Sequence, residues 1–136
     1  LLVAAVLNLI EAQRLVIRIC RDCIVSYKPD SSVLNAVERQ LTDLNIDTKF
    51  KMPAQLYKGA GCLACNNSGY KGRLGIFEIL NVTEDIRKLI VDPAFTLSAL
   101  RAAARKGGMI TMFEDGLKKI ERGLTTIEEI LRVIRE

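Results

Sequence analysis

The sequence predicts a mainly α fold that joins a small metal-bound α+β subdomain to a C-terminal helical bundle. Three observations predict it. The only four cysteines form two pairs, Cys20-Arg-Asp-Cys23 and Cys62-Leu-Ala-Cys65. Residues 1–19 carry apolar side chains at the three- and four-residue spacing of one helix face. After Thr83, capping and stop signals divide the chain into four short helical segments.

Taken in order, Leu2, Val6, Leu9, Ile10, Gln13, Val16 and Ile17 make the periodic stripe of a helix over 1–19, with Arg14 and Arg18 on another face. Its opening apolar run, Leu1 to Leu7, is too short to span a bilayer, and Asn8, Glu11, Arg14 and Arg18 interrupt the continuation. No basic stretch precedes the run and no small-residue cleavage site follows it, which argues against a signal peptide. Because no cap precedes that helix, the chain reads as a piece of a longer protein. Pro29 and Asp30-Ser31-Ser32 then break the chain, and Ser32 is expected to cap a second helix that buries Leu34, Val37, Leu41 and Leu44. Residues 46–58 read as extended and irregular, since Pro53 excludes a regular helix. The glycines at 69, 72 and 75 predict a turn, followed by a strand over Ile76-Phe-Glu-Ile-Leu80.

The remaining text is helical. Thr83 caps a helix with Glu84 and Asp85 in its dipole-favoured first turn, and Asp92-Pro93 ends it. A second runs over about 97–106 and stops at Gly107-Gly108. Thr111-Met-Phe-Glu114 and Thr125-Thr-Ile-Glu128 are capping boxes opening a third and a fourth. Helices this short are marginal alone and must pack. The expected division is a helix over 1–19, a metal subdomain over 20–80 and a helical subdomain over 81–136.

The cysteine spacing carries the chemistry. Two residues between the members of a pair let one turn aim both sulfurs at a common point, and two such turns close a four-sulfur shell around a structural Zn²⁺. Gly59, Gly61, Asn66, Asn67, Ser68 and Gly69 bracket the second pair, and turns of this kind point backbone N–H groups at the sulfurs. The 38 residues between Cys23 and Cys62 exceed the roughly 15–20 of a compact ribbon site, so structure must fold between the pairs. The alternatives are a disulfide framework and a redox dithiol. The first lacks any sign of an oxidising compartment. The second wants a helix N-terminus to lower the thiol pKa, whereas Cys20 follows a helical run.

With 49% hydrophobic residues over 136 positions, the chain can bury a core, and 5% aromatics with no Trp makes that core aliphatic. The formal charge of +4 counts neutral thiols; four thiolates with Zn²⁺ lower it to about +2. Arg18, Arg21, Lys28, Lys58 and Lys71 lie near the cysteines and are expected to compensate that cluster rather than bind nucleic acid. There is no G-x-x-x-x-G-K-[ST] phosphate loop, no histidine for a triad or a catalytic metal, and no open position on a four-thiolate zinc. These exclusions predict that the fragment itself is not an enzyme.

The assembled motifs are Ala12-Gln-Arg-Leu15, the two cysteine pairs, Gly69-Tyr-Lys-Gly-Arg-Leu-Gly-Ile-Phe-Glu78, Glu114-Asp-Gly-Leu117 and Gly123-Leu-Thr-Thr-Ile-Glu-Glu-Ile130. In this order they resemble the C-terminal part of the type II secretion and type IV pilus-assembly ATPases, across nearly the whole chain. The resemblance implies a fragment of a larger RecA-like motor. Its parent would be a hexameric cytoplasmic ATPase, using ATP and Mg²⁺, that moves an inner-membrane platform. That family's phosphate loop, acidic Mg²⁺ motif and histidine segment lie upstream of Ala12-Gln-Arg-Leu15. The resemblance therefore transfers zinc ligation to Cys20, Cys23, Cys62 and Cys65, and catalysis to no residue. Implied partners are neighbouring homohexamer subunits, the inner-membrane platform and cytoplasmic assembly proteins, with peripheral membrane association through them and no transmembrane segment. Gln13 and Arg14 would sit at the edge of the motor core, Arg14 either coupling the nucleotide site to the C-terminal segment or simply solvated on its helix, and Arg73 would form an ion pair within the metal subdomain or between subunits. The competing classes are a stand-alone zinc module for nucleic acid or protein, and a dithiol switch.

Overall fold

Where periodicity predicts a single helix over 1–19, the computed structural model has a short helix α1 (Leu2–Val6) followed by an eleven-residue strand β1 (Leu9–Ile19). The described residues are 2–46 and 51–135. The helix reading fails because β1 has a partner that spacing within the segment does not reveal. Strand β4 (Tyr70–Asn81) pairs with it, and the bonds Val82 N–H to Asn8 O (2.9 Å) and Cys20 N–H to Gly69 O (2.9 Å) mark an antiparallel ladder. The β-branched content of Val16, Ile17 and Ile19 suits a pleated surface. The glycines at 72 and 75 accordingly lie inside a strand rather than in the turn expected before it.

Between these strands the chain forms β2 (Ile24–Tyr27), α2 (Ser31–Asp43) and β3 (Leu56–Gly59). β2 and β3 pair antiparallel in register Ile24↔Gly59 to Tyr27↔Leu56. Helix α2 is capped by Asp30, not by Ser32: the Asp30 carboxylate accepts the N–H groups of Ser32 (3.0 Å) and Val33 (3.2 Å). Val37 and Leu41 are buried as expected, while Leu44 is the exposed C-cap. Of the stretch expected to be irregular, 47–50 lie outside the described residues and 56–59 are strand β3.

The C-terminal half follows its punctuation closely. Helix α3 (Glu84–Val91) is capped by the Thr83 hydroxyl and α4 (Leu97–Lys106) by the Thr96 hydroxyl. Helix α5 (Met112–Glu121) opens on the reciprocal box between Thr111 and Glu114, with N–H bonds of 2.9 and 3.2 Å. At α6 (Ile127–Arg135) the cap is Thr126, one residue on from the expected Thr125, and the Glu129 carboxylate accepts from Ile17 and Arg132 rather than closing a reciprocal box. Thr126 Oγ1 accepts from Glu129 N–H (3.3 Å), while the Thr125 hydroxyl donates to Ile17 O (2.9 Å).

Contacts divide the chain into two units. One contains Leu1–Arg14 and Gly75–Gly116. Its core includes Ile76, Val82, Ile86, Ala104 and Phe113, and Arg87 ties α3 to the end of α1 by donating to Ala4 O (3.2 Å) and Leu7 O (2.7 Å). These are orphan carbonyls of a helix C-terminus, so the guanidinium completes α1 as well as pairing with Glu84. The other unit contains Leu15–Leu74 and Leu117–Glu136 and holds all four cysteines. Val16, Val37, Leu56, Ile120, Ile130 and Val133 form its aliphatic interior.

Candidate metal centre

Each cysteine pair sits at the end of an element that delivers it. Cys20 follows directly on β1 and is fully buried; Cys23 precedes β2. Cys62 and Cys65 span a 3₁₀ turn, Leu63–Cys65, that β3 leads into. After the second pair, Asn66 and Asn67 adopt φ of 53° and 61°, the left-handed conformation asparagine tolerates, and the chain turns back into β4. Gly59 and Gly69 pass so closely here that a Cβ on Gly59 would lie 2.0 Å from Gly69 O. That backbone approach draws the second pair toward the first.

The four sulfurs all lie within 4.8 Å of one another, a group that could hold a metal ion. The Sγ separations are 3.8 Å for Cys20–Cys62, 3.9 Å for Cys23–Cys65 and 3.7 Å for Cys62–Cys65. A regular tetrahedron of sulfurs, each about 2.3 Å from a central ion, has edges of about 3.8 Å. The cluster thus has the dimensions of a four-thiolate centre. None of its separations approaches the roughly 2.05 Å of a disulfide.

Backbone N–H groups point at this cluster as the turn chemistry predicts. Gly61 donates to Cys23 Sγ (3.3 Å), while Cys62 (3.3 Å) and Gly69 (3.2 Å) donate to Cys65 Sγ. Their effect is uneven. Burial raises the Cys23 thiol, with its single N–H donor opposing, and it is pushed up to about 12. Burial also raises Cys65, but the N–H groups of Cys62 and Gly69 and the thiols of Cys62 and Cys23 outweigh it, holding Cys65 down at about 6.

Support from outside the knuckles was not legible in the sequence. Glu129 is buried on α6 and accepts the Ile17 N–H (2.9 Å), holding the strand that ends at Cys20. Arg132 donates to its two oxygens (2.9 and 3.0 Å) and holds the carboxyl below the usual range against the burial that would raise it; the Ile17 N–H lowers it further. The Tyr70 hydroxyl bonds Thr126 Oγ1 (2.9 Å). Only the first-turn acidity of Glu128 and Glu129 was visible, and dipole arguments account for that without assigning a partner.

Other singled-out residues lie elsewhere. Gln13 and Arg14 are exposed on β1, with Gln13 Nε2 beside Gly75. Arg73 makes no ion pair among the described residues, so of the two pairings expected of it the one within the metal subdomain is not formed. Lys58 lies 5.3 Å from the Tyr27 ring centroid. Among the described residues no helix is long and apolar enough to cross a membrane.

Comparison with known proteins adds the context. The family described as "Type II/IV secretion system protein" matches residues 1–132. The type IV pilus assembly ATPase PilB of Thermus thermophilus is 41% identical over 95% of this chain. The type IV pilus assembly ATPase TfpB of Acinetobacter baylyi is 36% identical over 98%, and the type II secretion system ATPase E of Vibrio cholerae 37% over 92%. The chain spans only 14%, 21% and 23% of the lengths of these three relatives.

Proposed function

Because the chain belongs to the type II/IV secretion system protein family, we propose that it is the structural and docking C-terminal segment of a hexameric cytoplasmic ATPase that powers type II secretion or type IV pilus assembly. The observation that carries this reading is the coincidence of a match over residues 1–132 with a four-sulfur cluster of tetrahedral dimensions. Three relatives bearing ATPase names support the parent's activity and its use of ATP and Mg²⁺. The RecA-like core that would perform it would lie in the rest of the parent protein.

Cys20, Cys23, Cys62 and Cys65 would hold Zn²⁺, which supplies a closed coordination shell and no open position for water or substrate. The chain's own groups do the rest. Gly61, Cys62 and Gly69 N–H groups neutralise thiolate charge, Glu129 secures the strand leading to Cys20, and the Gly59–Gly69 approach fixes the second knuckle. On this reading residues 20–80 carry the metal and residues 81–136 supply the helical surface toward neighbouring subunits and the membrane platform.

Elemental analysis of the purified chain should find one zinc per molecule, and X-ray absorption should find four sulfurs at about 2.3 Å. The chain alone should not turn over ATP. Measurable hydrolysis, or a preparation that is folded, metal-free and reversibly oxidised, would overturn the reading. A salt-sensitive shift of DNA or RNA would move it to a stand-alone nucleic-acid module.

A further inference from the structure

Four cations converge on one face of the cysteine-bearing unit. Arg18 on β1, Arg21 between the first two cysteines, and Lys71 and Arg73 on β4 line an open notch of about 360 Å³ that also contains Asp22 and Gly72. The antiparallel pairing of β1 with β4 produces the convergence. With Cys20 bonded to Gly69, residue 18 lies across from 71 and 72, and an added Gly72 Cβ would sit 3.9 Å from Arg18 Cδ.

The arginines Arg87, Arg105 and Arg132 are each matched to a glutamate, Glu84, Glu114 and Glu129. The four notch cations have no hydrogen bond or ion pair among the described residues, and Asp22 lines the notch without pairing to any of them. Like charges brought together across strands are unfavourable unless something neutralises them. The thiolates are not what these groups bond to, because the donors on the sulfurs are the backbone N–H groups of Gly61, Cys62 and Gly69.

Three of the four cations are guanidiniums, whose planar forks grip phosphate oxygens in pairs. Four cations and one carboxylate leave +3 at the notch, more than a single carboxylate ligand would balance and close to the charge of a diphosphate. We infer that this notch binds a di- or triphosphate anion, either free or as the polyphosphate tail of a nucleotide. The inference rests on the notch residues alone and holds whichever machine the parent serves.

The test is calorimetric titration of the zinc-loaded 136-residue chain with pyrophosphate, ATP and AMP, at low and high salt. Pyrophosphate should bind at one saturable site that weakens with salt. The double variant Arg21→Gln/Lys71→Gln should bind it at least about tenfold more weakly while keeping its zinc. ATP binding as well as pyrophosphate, with AMP silent, identifies the phosphate tail as what is read; ATP binding about tenfold tighter identifies a nucleotide as the source. If the double variant loses its metal, the single exposed reversal Lys71→Glu carries the same test and should abolish detectable binding. The proposal is overturned if neither polyphosphate saturates, if the variants bind like the parent chain, or if anionic vesicles bind while pyrophosphate does not.

Discussion

Cys65 and Glu129 are the two residues on which the metal-bearing unit turns. Cys65 receives two backbone N–H bonds and closes the second knuckle. Cys65→Ser should therefore reduce bound zinc from one per chain to nearly none, and a structural zinc contributes about 10–16 kcal/mol of binding free energy to be lost. Atomic absorption with a thermal melt checks this, and a stoichiometric, fully stable variant would refute it. Glu129 gives a pH signature. Its carboxyl is depressed below its ordinary 4.5, chiefly by Arg132. A carboxylate so depressed contributes stability that is fully present above its unfolded pKa and lost as pH falls through the folded one. The unsubstituted chain should thus begin to lose this contribution once the pH falls below 4.5. Glu129→Gln should cost about 2 kcal/mol at neutral pH and flatten that acid limb. Urea unfolding at a series of pH values measures both. None of this was readable from residue types, since the Ile17–Glu129 bond joins positions 112 apart.

At the scale of elements, what was legible tracks how local the determinant is. Helices α3 and α5 announce themselves by Thr83 and the Thr111–Glu114 box, each acting within three residues, and α4 by its stop at Gly107-Gly108. Strand β1 does not, because its conformation is fixed by β4 about sixty residues away, and its apolar positions happen to match a helical period as well. Tertiary pairing overrode the periodic signal. A longer separation, 108 residues, hid the true cap of α6, since the Thr125 hydroxyl donates to Ile17 O. The knuckle geometry yields a sharp contrast between two glycines. Gly59→Ala would drive a Cβ into Gly69 and should cost at least about 3 kcal/mol and release metal. Gly108→Ala faces open space at φ +99° and should cost only about 1–2 kcal/mol with zinc retained. Equal losses in denaturant midpoint would mean the Gly59–Gly69 approach is not what seats the knuckle.

For the molecule as a whole, composition and cysteine count correctly indicated an aliphatic core and a four-sulfur cluster, but not that the chain is interleaved. Leu15–Leu74 shares a unit with Leu117–Glu136, while Gly75–Gly116 clusters with Leu1–Arg14. Interleaving follows from long-range pairing, to which local signals are blind. It predicts an uneven response to chelation. Removing metal should strip amide protection from 15–74 and 117–136 first, leaving α3 and α4 protected, as hydrogen exchange read by mass spectrometry would reveal. A uniform loss over both sets would show that they unfold as one body.

The bond from Ile17 to Glu129 has a consequence during synthesis. The nascent polypeptide exposes its first thiols long before the second knuckle leaves the ribosome, and the clasp on Ile17 arrives 112 residues after it. The metal-bearing half must therefore wait, incomplete, until translation has passed Glu129. A premature stop inside α6 would spare every ligand and still leave the strand that delivers Cys20 unfastened.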